Sequence, residues 1–199
     1  MKTTAMLNAA LDELLERIRP VLALVSNGRH GAGAGLLAGD GLVLTNLHVV
    51  GRARSVQVLL DDGSSYDAPV IAKDPDVDLA LLQIPANGHP AAAFSSSRPR
   101  PGELVYAFGH PWGQRNVLTG GVLSAVTSLR GRHGDVPVLR ADVQLAPGNS
   151  GGPLLNAGGE VIGLNAMIFG GDQSVAIPAS LIQSFLAGAG KDRPREAVL

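Results

Sequence analysis

Turn-forming residues return so often along this chain that long helices have little room. Glycine occurs 26 times and proline 13 times in 199 residues, and the apolar runs between them are short. From residue 21 the runs read Val21–Val25, Gly35–Leu37, Leu42–Thr45, Val56–Leu60, Tyr66–Lys73 and Leu79–Ile84. A second set follows: Leu104–Phe108, Asn116–Leu129, Val136–Val143, Leu154–Leu155, Val161–Phe169 and Ser174–Ile177. Turn signals separate the runs roughly every 8–12 residues, the spacing of antiparallel strands in a barrel or sandwich. Asn27–Gly35 reads as a glycine-rich turn. Residues 85–101, rich in Pro, Ala, Ser and Arg, divide the chain into two β-halves, 20–94 and 95–199. The halves share a pattern of runs but no repeat of fixed period.

The two ends differ in texture. In residues 4–19, Leu7, Leu11, Leu14, Leu15 and Ile18 recur at helical spacing, with Asp12, Glu13, Glu16 and Arg17 between them. That is an amphipathic helix, ended by Pro20. Its acidic residues exclude a signal peptide. With Met1 as the native start the protein is expected in the cytoplasm; with a leader removed, in the periplasm or outside the cell. The leucine stripe needs a cover, either the chain's own barrel or the same helix of another copy, so oligomers through this helix are one expectation. Pro178–Leu186 reads as a short helix before a polar tail.

Composition removes several function classes. A formal net charge of −1 with 17% charged residues does not suit nucleic acid or an anionic membrane as the main partner. No apolar run reaches the ~18 residues of a membrane span. There is no cysteine, which excludes disulfides, thiolate metal sites and a cysteine nucleophile. No histidines stand at a helical metal-ligand spacing, so neither a metal nor another cofactor is expected. His30, His89, His110 and His133 fall in turns and loops and read as bland.

Three short segments carry chemistry. Pro147-Gly148-Asn149-Ser150-Gly151-Gly152-Pro153 sets a serine among glycines between apolar runs. Glycines permit unusual dihedrals and close approach of a substrate. Amides of Gly148, Asn149 and Ser150 directed at one spot would make an oxyanion hole; a plain glycine-rich turn is the alternative. His48 follows an apolar strand and Asp78 opens another, Leu79–Ile84. Singly they read as a structural histidine and a solvated turn acid. Jointly, Ser150, His48 and Asp78 supply what serine catalysis needs. The imidazole takes the hydroxyl proton, and the carboxylate fixes the tautomer and stabilises the cation. Asp142, on an apolar strand eight residues before Ser150, is expected to make a structural hydrogen bond beneath the site.

The order of these segments resembles chymotrypsin-fold serine proteases of the HtrA/Deg type. The histidine segment is Thr45-Asn46-Leu47-His48-Val49-Val50 and the aspartate segment runs from Asp74 to Leu82. Gly109-His110-Pro111-Trp112-Gly113, Gly120-Gly121-Val122-Leu123-Ser124, Arg140–Pro153 and Gly163-Leu164-Asn165-Ala166 continue the likeness, which covers about residues 20–186. It implies an all-β fold of two antiparallel barrels with the triad between them, and endopeptidase activity on unfolded or extended polypeptides. It also implies a specificity pocket walled by Leu145 and Ala146 on one side and Ala166, Met167 and Ile168 on the other. None of these is acidic, so small or medium apolar side chains are expected before the scissile bond. Such proteases usually carry PDZ domains after the protease, and only about a dozen residues follow the last helix here, so none is expected. Asn149 stands where zymogen-type relatives place an aspartate to pair with a freed N-terminus, so activation by N-terminal cleavage is not expected. An idle peptide-binding module that holds its ligand by strand addition, and an esterase with the same triad, remain alternatives.

Overall fold

A computed structural model describes residues 2–28, 31–85, 88–131, 133–169 and 173–189. Twelve strands form two closed six-stranded antiparallel barrels. The first contains β1 (Leu22–Ser26), β2 (Ala32–Gly39), β3 (Leu42–Asn46), β4 (Ser55–Leu59), β5 (Ser65–Asp74) and β6 (Leu79–Gln83). The second contains β7 (Leu104–Gly109), β8 (Val117–Arg130), β9 (Asp135–Asp142), β10 (Pro153–Asn156), β11 (Val161–Phe169) and β12 (Gln173–Pro178). Around the first ring the order is β1-β2-β3-β6-β5-β4; the second ring has the corresponding order, β7-β8-β9-β12-β11-β10. The pattern shared by the two halves of the sequence is therefore one topology used twice. Closure leaves neither barrel a free edge.

The connection between the barrels is brief. The Ala92 amide still donates to Leu37 O in the first barrel at 2.8 Å, whereas the Ser95 amide already donates to Val161 O in the second at 2.9 Å. Phe94 bridges to Val161 between them.

One strand starts earlier than its sequence suggests. The glycine-rich stretch expected as a turn through Gly35 becomes strand from Ala32, with Gly33 paired to Val25 and Gly35 to Ala23. Glycine in a strand marks a close approach by other atoms. A Cβ on Gly33 would lie 2.7 Å from a Val49 methyl and 2.9 Å from the Ser150 carbonyl. Gly33 thus serves the close approach between the barrels, and Gly35 packs inside the first, where a Cβ would lie 2.7 Å from a Val25 methyl.

Two helices flank the barrels. A C-terminal helix, α3, spans Ala179–Ala189 and buries Ile182 completely. The N-terminal helix, α1, spans Lys2–Ile18. Its apolar stripe divides in two. Leu14 and Ile18 are 3% and 4% exposed, whereas Met6 and Leu7 are 73% and 51% exposed. The buried half belongs to a core that includes Leu22, Leu155 and Val161, and Arg17 donates to the Gly158 carbonyl at 3.1 Å. The chain's own barrels thus cover the C-terminal half of the stripe. Among the described residues no helix is long and apolar enough to cross a membrane.

This division predicts unequal costs along the helix. Leu14→Ala should lose about 2–5 kcal/mol, the usual cost of an emptied leucine site. Leu7→Ala should stay within about 0.5 kcal/mol, as exposed substitutions do. Urea unfolding of both variants checks this; similar losses would mean that the whole stripe is buried in solution.

Candidate active site

The histidine is positioned by the end of β3. That strand runs into a single helical turn, α2 (Leu47–Val50), so His48 lies within a turn of helix rather than merely after a strand. Asp78 lies at the mouth of β6, with its backbone in the left-handed region at φ 56°. Such a conformation costs a non-glycine residue on the order of 1–3 kcal/mol and persists only where the surroundings impose it. Here they do. Asp74 Oδ1 accepts the amides of Asp76 at 3.0 Å and Val77 at 3.4 Å, turning the chain just before Asp78. The Asp78 carbonyl accepts the Leu47 amide at 3.1 Å and Asn46 Nδ2 at 3.0 Å.

So held, the Asp78 carboxylate grips the histidine at two points. Oδ2 lies 2.6 Å from His48 Nδ1, and Oδ1 accepts the His48 amide at 2.9 Å. An ionised carboxylate only accepts, so Nδ1 carries the ring proton and the Nε2 lone pair is left free. A short bond to a charged acceptor is among the stronger kinds of hydrogen bond.

The serine segment crosses onto the first barrel. The Ser150 carbonyl accepts the Ala34 amide at 2.7 Å, and the Gly151 amide donates to Asn165 O at 2.9 Å. Gly151 has φ 86°, and a Cβ there would lie 2.0 Å from Ala34 O and 2.5 Å from Thr45 Oγ1. No other residue fits at this contact. Ser150 Oγ donates to the Ala166 carbonyl at 3.0 Å. Ser150, His48, Leu145, Ala146 and Gly148 line one cleft of about 390 Å³, which also touches Gly31 and Val49.

Around the serine, the backbone donors divide into engaged and free. The Asn149 amide donates to Ala146 O at 3.0 Å, so it is not available to the cleft, although the sequence reading grouped it with its neighbours. The amides of Gly148 and Ser150 donate to no described backbone carbonyl outside the strands. The Pro147 carbonyl accepts from Trp112 N at 2.8 Å. In a planar trans peptide that turns the Gly148 N–H to the opposite side. Gly148 is buried with φ 109°, its would-be Cβ 2.2 Å from His110 O.

Not every residue singled out in the sequence joins this site. The Asp142 side chain is exposed and makes no bond beneath the serine; the strand register turns it outward while Ala141 and Val143 point into the core. Polar support comes instead from buried Thr45, whose Oγ1 donates to Ala34 O at 2.8 Å, and buried Asn165, whose Nδ2 donates to Pro153 O at 2.9 Å. Ala166 is buried. Met167 and Ile168 lie on β11 opposite Val175 and Ser174, and their side chains fall outside the described residues, as does His30. His133 is not idle: its Nδ1 lies 2.7 Å from Asp76 Oδ1, linking the β8–β9 turn to the segment that carries Asp78.

His110 is also more than a loop residue. It is 1% exposed, and burial pulls its imidazole down to about 4, helped by the Arg115 guanidinium and opposed by the Ala23 backbone and the Asp61 carboxylate. Its Nδ1 accepts the Asn116 amide at 3.2 Å, while Nε2 finds no partner of good geometry. Single-residue spacing carries no sign of this burial.

With this geometry in hand, known proteins supply the family. The model of the trypsin-like peptidase domain matches residues 33–164, a span that holds His48, Asp78 and Ser150. The chain belongs to the trypsin-like peptidases, as a protease domain of the HtrA/DegP type. It is 41% identical over 165 residues to Serine protease HTRA1 of Xenopus tropicalis, covering 78% of this chain and 35% of that protein. It is 40% identical over 163 residues to a probable periplasmic serine endoprotease DegP-like of Marinomonas sp. (strain MWYL1), again covering 78% and 35%. The chain therefore spans about a third of the length of these curated relatives. Among solved structures, the serine endoprotease from Yersinia pestis superposes with a TM-score of 0.81 at 30% identity, over 91% of this chain and 66% of that one. The HtrA-type domain found here thus matches the fold and family that the sequence motifs imply.

The depressed His110 predicts a pH dependence of stability. Between the ordinary imidazole value near ~6.5 and about 4, the unfolded chain binds a proton that the native site refuses. Stability should be full above about 6.5 and decline as pH falls towards 4. His110→Asn, which keeps an acceptor for the Asn116 amide and cannot titrate, should flatten this slope. Melting temperatures of both proteins from pH 7.5 to 4.5 check it; identical slopes would overturn it.

Proposed function

We propose that the chain is a serine endopeptidase in which Ser150 is the nucleophile, His48 the general base and then acid, and Asp78 the orienting carboxylate. The observation that carries the reading is the double grip of Asp78 on His48, at 2.6 Å on Nδ1 and 2.9 Å on the amide, in the cleft that Ser150 also lines. A carboxylate fixing one tautomer leaves Nε2 as a base directed at the cleft.

The sequence of events follows from these positions. Ser150 Oγ leaves the Ala166 carbonyl by rotation about its side-chain bond and gives its proton to His48 Nε2 as it attacks the scissile carbonyl. The carbonyl oxygen becomes an anion, and the free amides of Gly148 and Ser150 are the donors suited to receive it. Donors fixed before reaction cost no reorganisation when charge develops; losing one costs on the order of 10²–10³ in rate. His48 then protonates the leaving amine, and the C–N bond breaks to give an acyl-serine. Water, deprotonated by the same Nε2, hydrolyses the ester and restores the enzyme.

The substrate is read as an extended polypeptide with a small or medium apolar residue before the cut. The described lining of the cleft holds no carboxylate, and Leu145 and Ala146 stand beside Ser150. A lysine or arginine buried there would lack a partner. Discrimination among Val, Ala, Leu and Met is expected to be shallow, since a methylene in an apolar pocket is worth about 1–3 kcal/mol.

Three experiments test the proposal. Fluorophosphonate labelling should mark the wild-type chain and not Ser150→Ala. Ser150→Ala and His48→Ala should each lower casein cleavage by at least about 10³-fold, without additive loss in the double variant, because the triad acts as a unit. Labelling without cleavage of any polypeptide would favour an esterase; no labelling of a folded chain would favour a peptide-binding module. Sequencing the products from an unfolded protein should find most cuts after small or medium apolar residues, and a majority after Lys or Arg would sink the pocket assignment.

A further inference from the structure

We infer that Asp61 is a positioning residue for the oxyanion loop: its carboxylate anchors residues 110–116, on which the Pro147–Gly148 peptide is oriented, to the first barrel and to the segment after α1. The inference deepens the serine-protease reading and rests on it.

The loop before Ser150 has no charged tether of its own. Asn149 is buried and neutral, and its Oδ1 meets no partner. What orients the Gly148 N–H is main chain: Trp112 N on Pro147 O at 2.8 Å, and His110 N on Gly148 O at 3.3 Å. The oxyanion donor is therefore only as well placed as residues 110–116.

Those residues are not held by packing at their apex. Trp112 is 78% exposed, and Trp112 and Asn116 both sit in the left-handed region, at φ 54° and 62°. Backbone in such regions relaxes unless its surroundings restrain it. The restraint converges on the turn between β4 and β5. Asn116 Nδ2 donates to Asp61 Oδ1 at 3.1 Å, and the Asn116 amide donates to His110 Nδ1. Arg115 Nη2 donates to Leu60 O at 2.9 Å and lies 3.5 Å from Asp61 Oδ1. On the other carboxylate oxygen, Arg19 Nη2 approaches to 3.4 Å. One acid thus binds the first barrel, the segment after α1, and the template of the oxyanion loop. The two arginine contacts are long and partly exposed and contribute little singly; the Asn116 bond to a charged acceptor is the stronger link.

The test uses the full chain and two readouts. Asp61→Ala should lower kcat for a peptide ester about 10-fold or more, bounded by the on-the-order-of 10²–10³ cost of losing an oxyanion donor, with KM changed less than about twofold. The emission of Trp112, the sole tryptophan, should shift as its backbone relaxes. Asp61→Asn, which still accepts from Asn116 Nδ2, should give an intermediate kcat and also guards against misfolding of the alanine variant. Glu103→Gln, which loosens an exposed pair with Arg100, should leave rate and emission unchanged. Wild-type kcat in folded Asp61→Ala, or a lowered melting temperature with kcat and emission intact, overturns the inference. If the wild-type chain resists fluorophosphonate, the reading of Ser150 fails separately. The anchor is then judged by Trp112 emission alone, and an unshifted spectrum in Asp61→Ala overturns it.

Discussion

The site depends first on the 2.7 Å bond from the Ala34 amide to the Ser150 carbonyl. It crosses between two closed barrels that have no sheet in common. It fixes the loop that bears Ser150 against β2, the neighbour of the strand that feeds His48, beside an apolar core that both barrels share. Thr45 supports the same point by donating to Ala34 O, and Gly151 leaves room for it, since any Cβ would collide with that carbonyl. Polar groups buried at such a seam cost stability unless each finds a partner. These do, so the seam admits one register and not a sliding contact.

The catalytic candidates are held by main-chain bonds more than by packing. His48 and Asp78 keep side-chain exposures of 49% and 31%, far from a core pair. Their geometry comes from the Asp78 backbone, pinned in a left-handed conformation by Asp74, Leu47 and Asn46. The strain at Asp78 is offset by bonds that also aim its carboxylate. The Gly148 amide is directed in the same manner, through the Trp112 bond to its neighbour's carbonyl. In both places a protein group is oriented before any substrate arrives, which is the condition for electrostatic preorganisation.

Much of this was legible in the sequence because local chemistry decides it. Gly and Pro punctuate the chain into strands of barrel length, and the motif around Ser150 demands a tight turn whatever surrounds it. The helical stripe of α1 was equally readable, since a period of 3.6 needs no partner to appear. Its two ends were not distinguishable: Leu7 and Leu14 obey the same spacing, yet only Leu14 meets the barrels. Asp142 misled for a related reason. An acid on an apolar strand looks buried, but alternation turns every second residue outward, and only the register says which.

What the sequence determined by itself, then, is the set of strands, their division into two halves, and the residue types fit for acyl transfer. Those properties depend on neighbours within a few positions. The tertiary structure alone decided which glycines are contacts instead of turns, and that Asp61 meets Arg19, Arg115 and Asn116. The Asp61 pairings join residues 42 to 55 positions apart, and nothing in a linear spacing encodes which distant group will come to lie beside a given side chain. Closure of the two barrels brings them together, and it is a property of the whole chain's hydrogen-bonding, not of any segment within it.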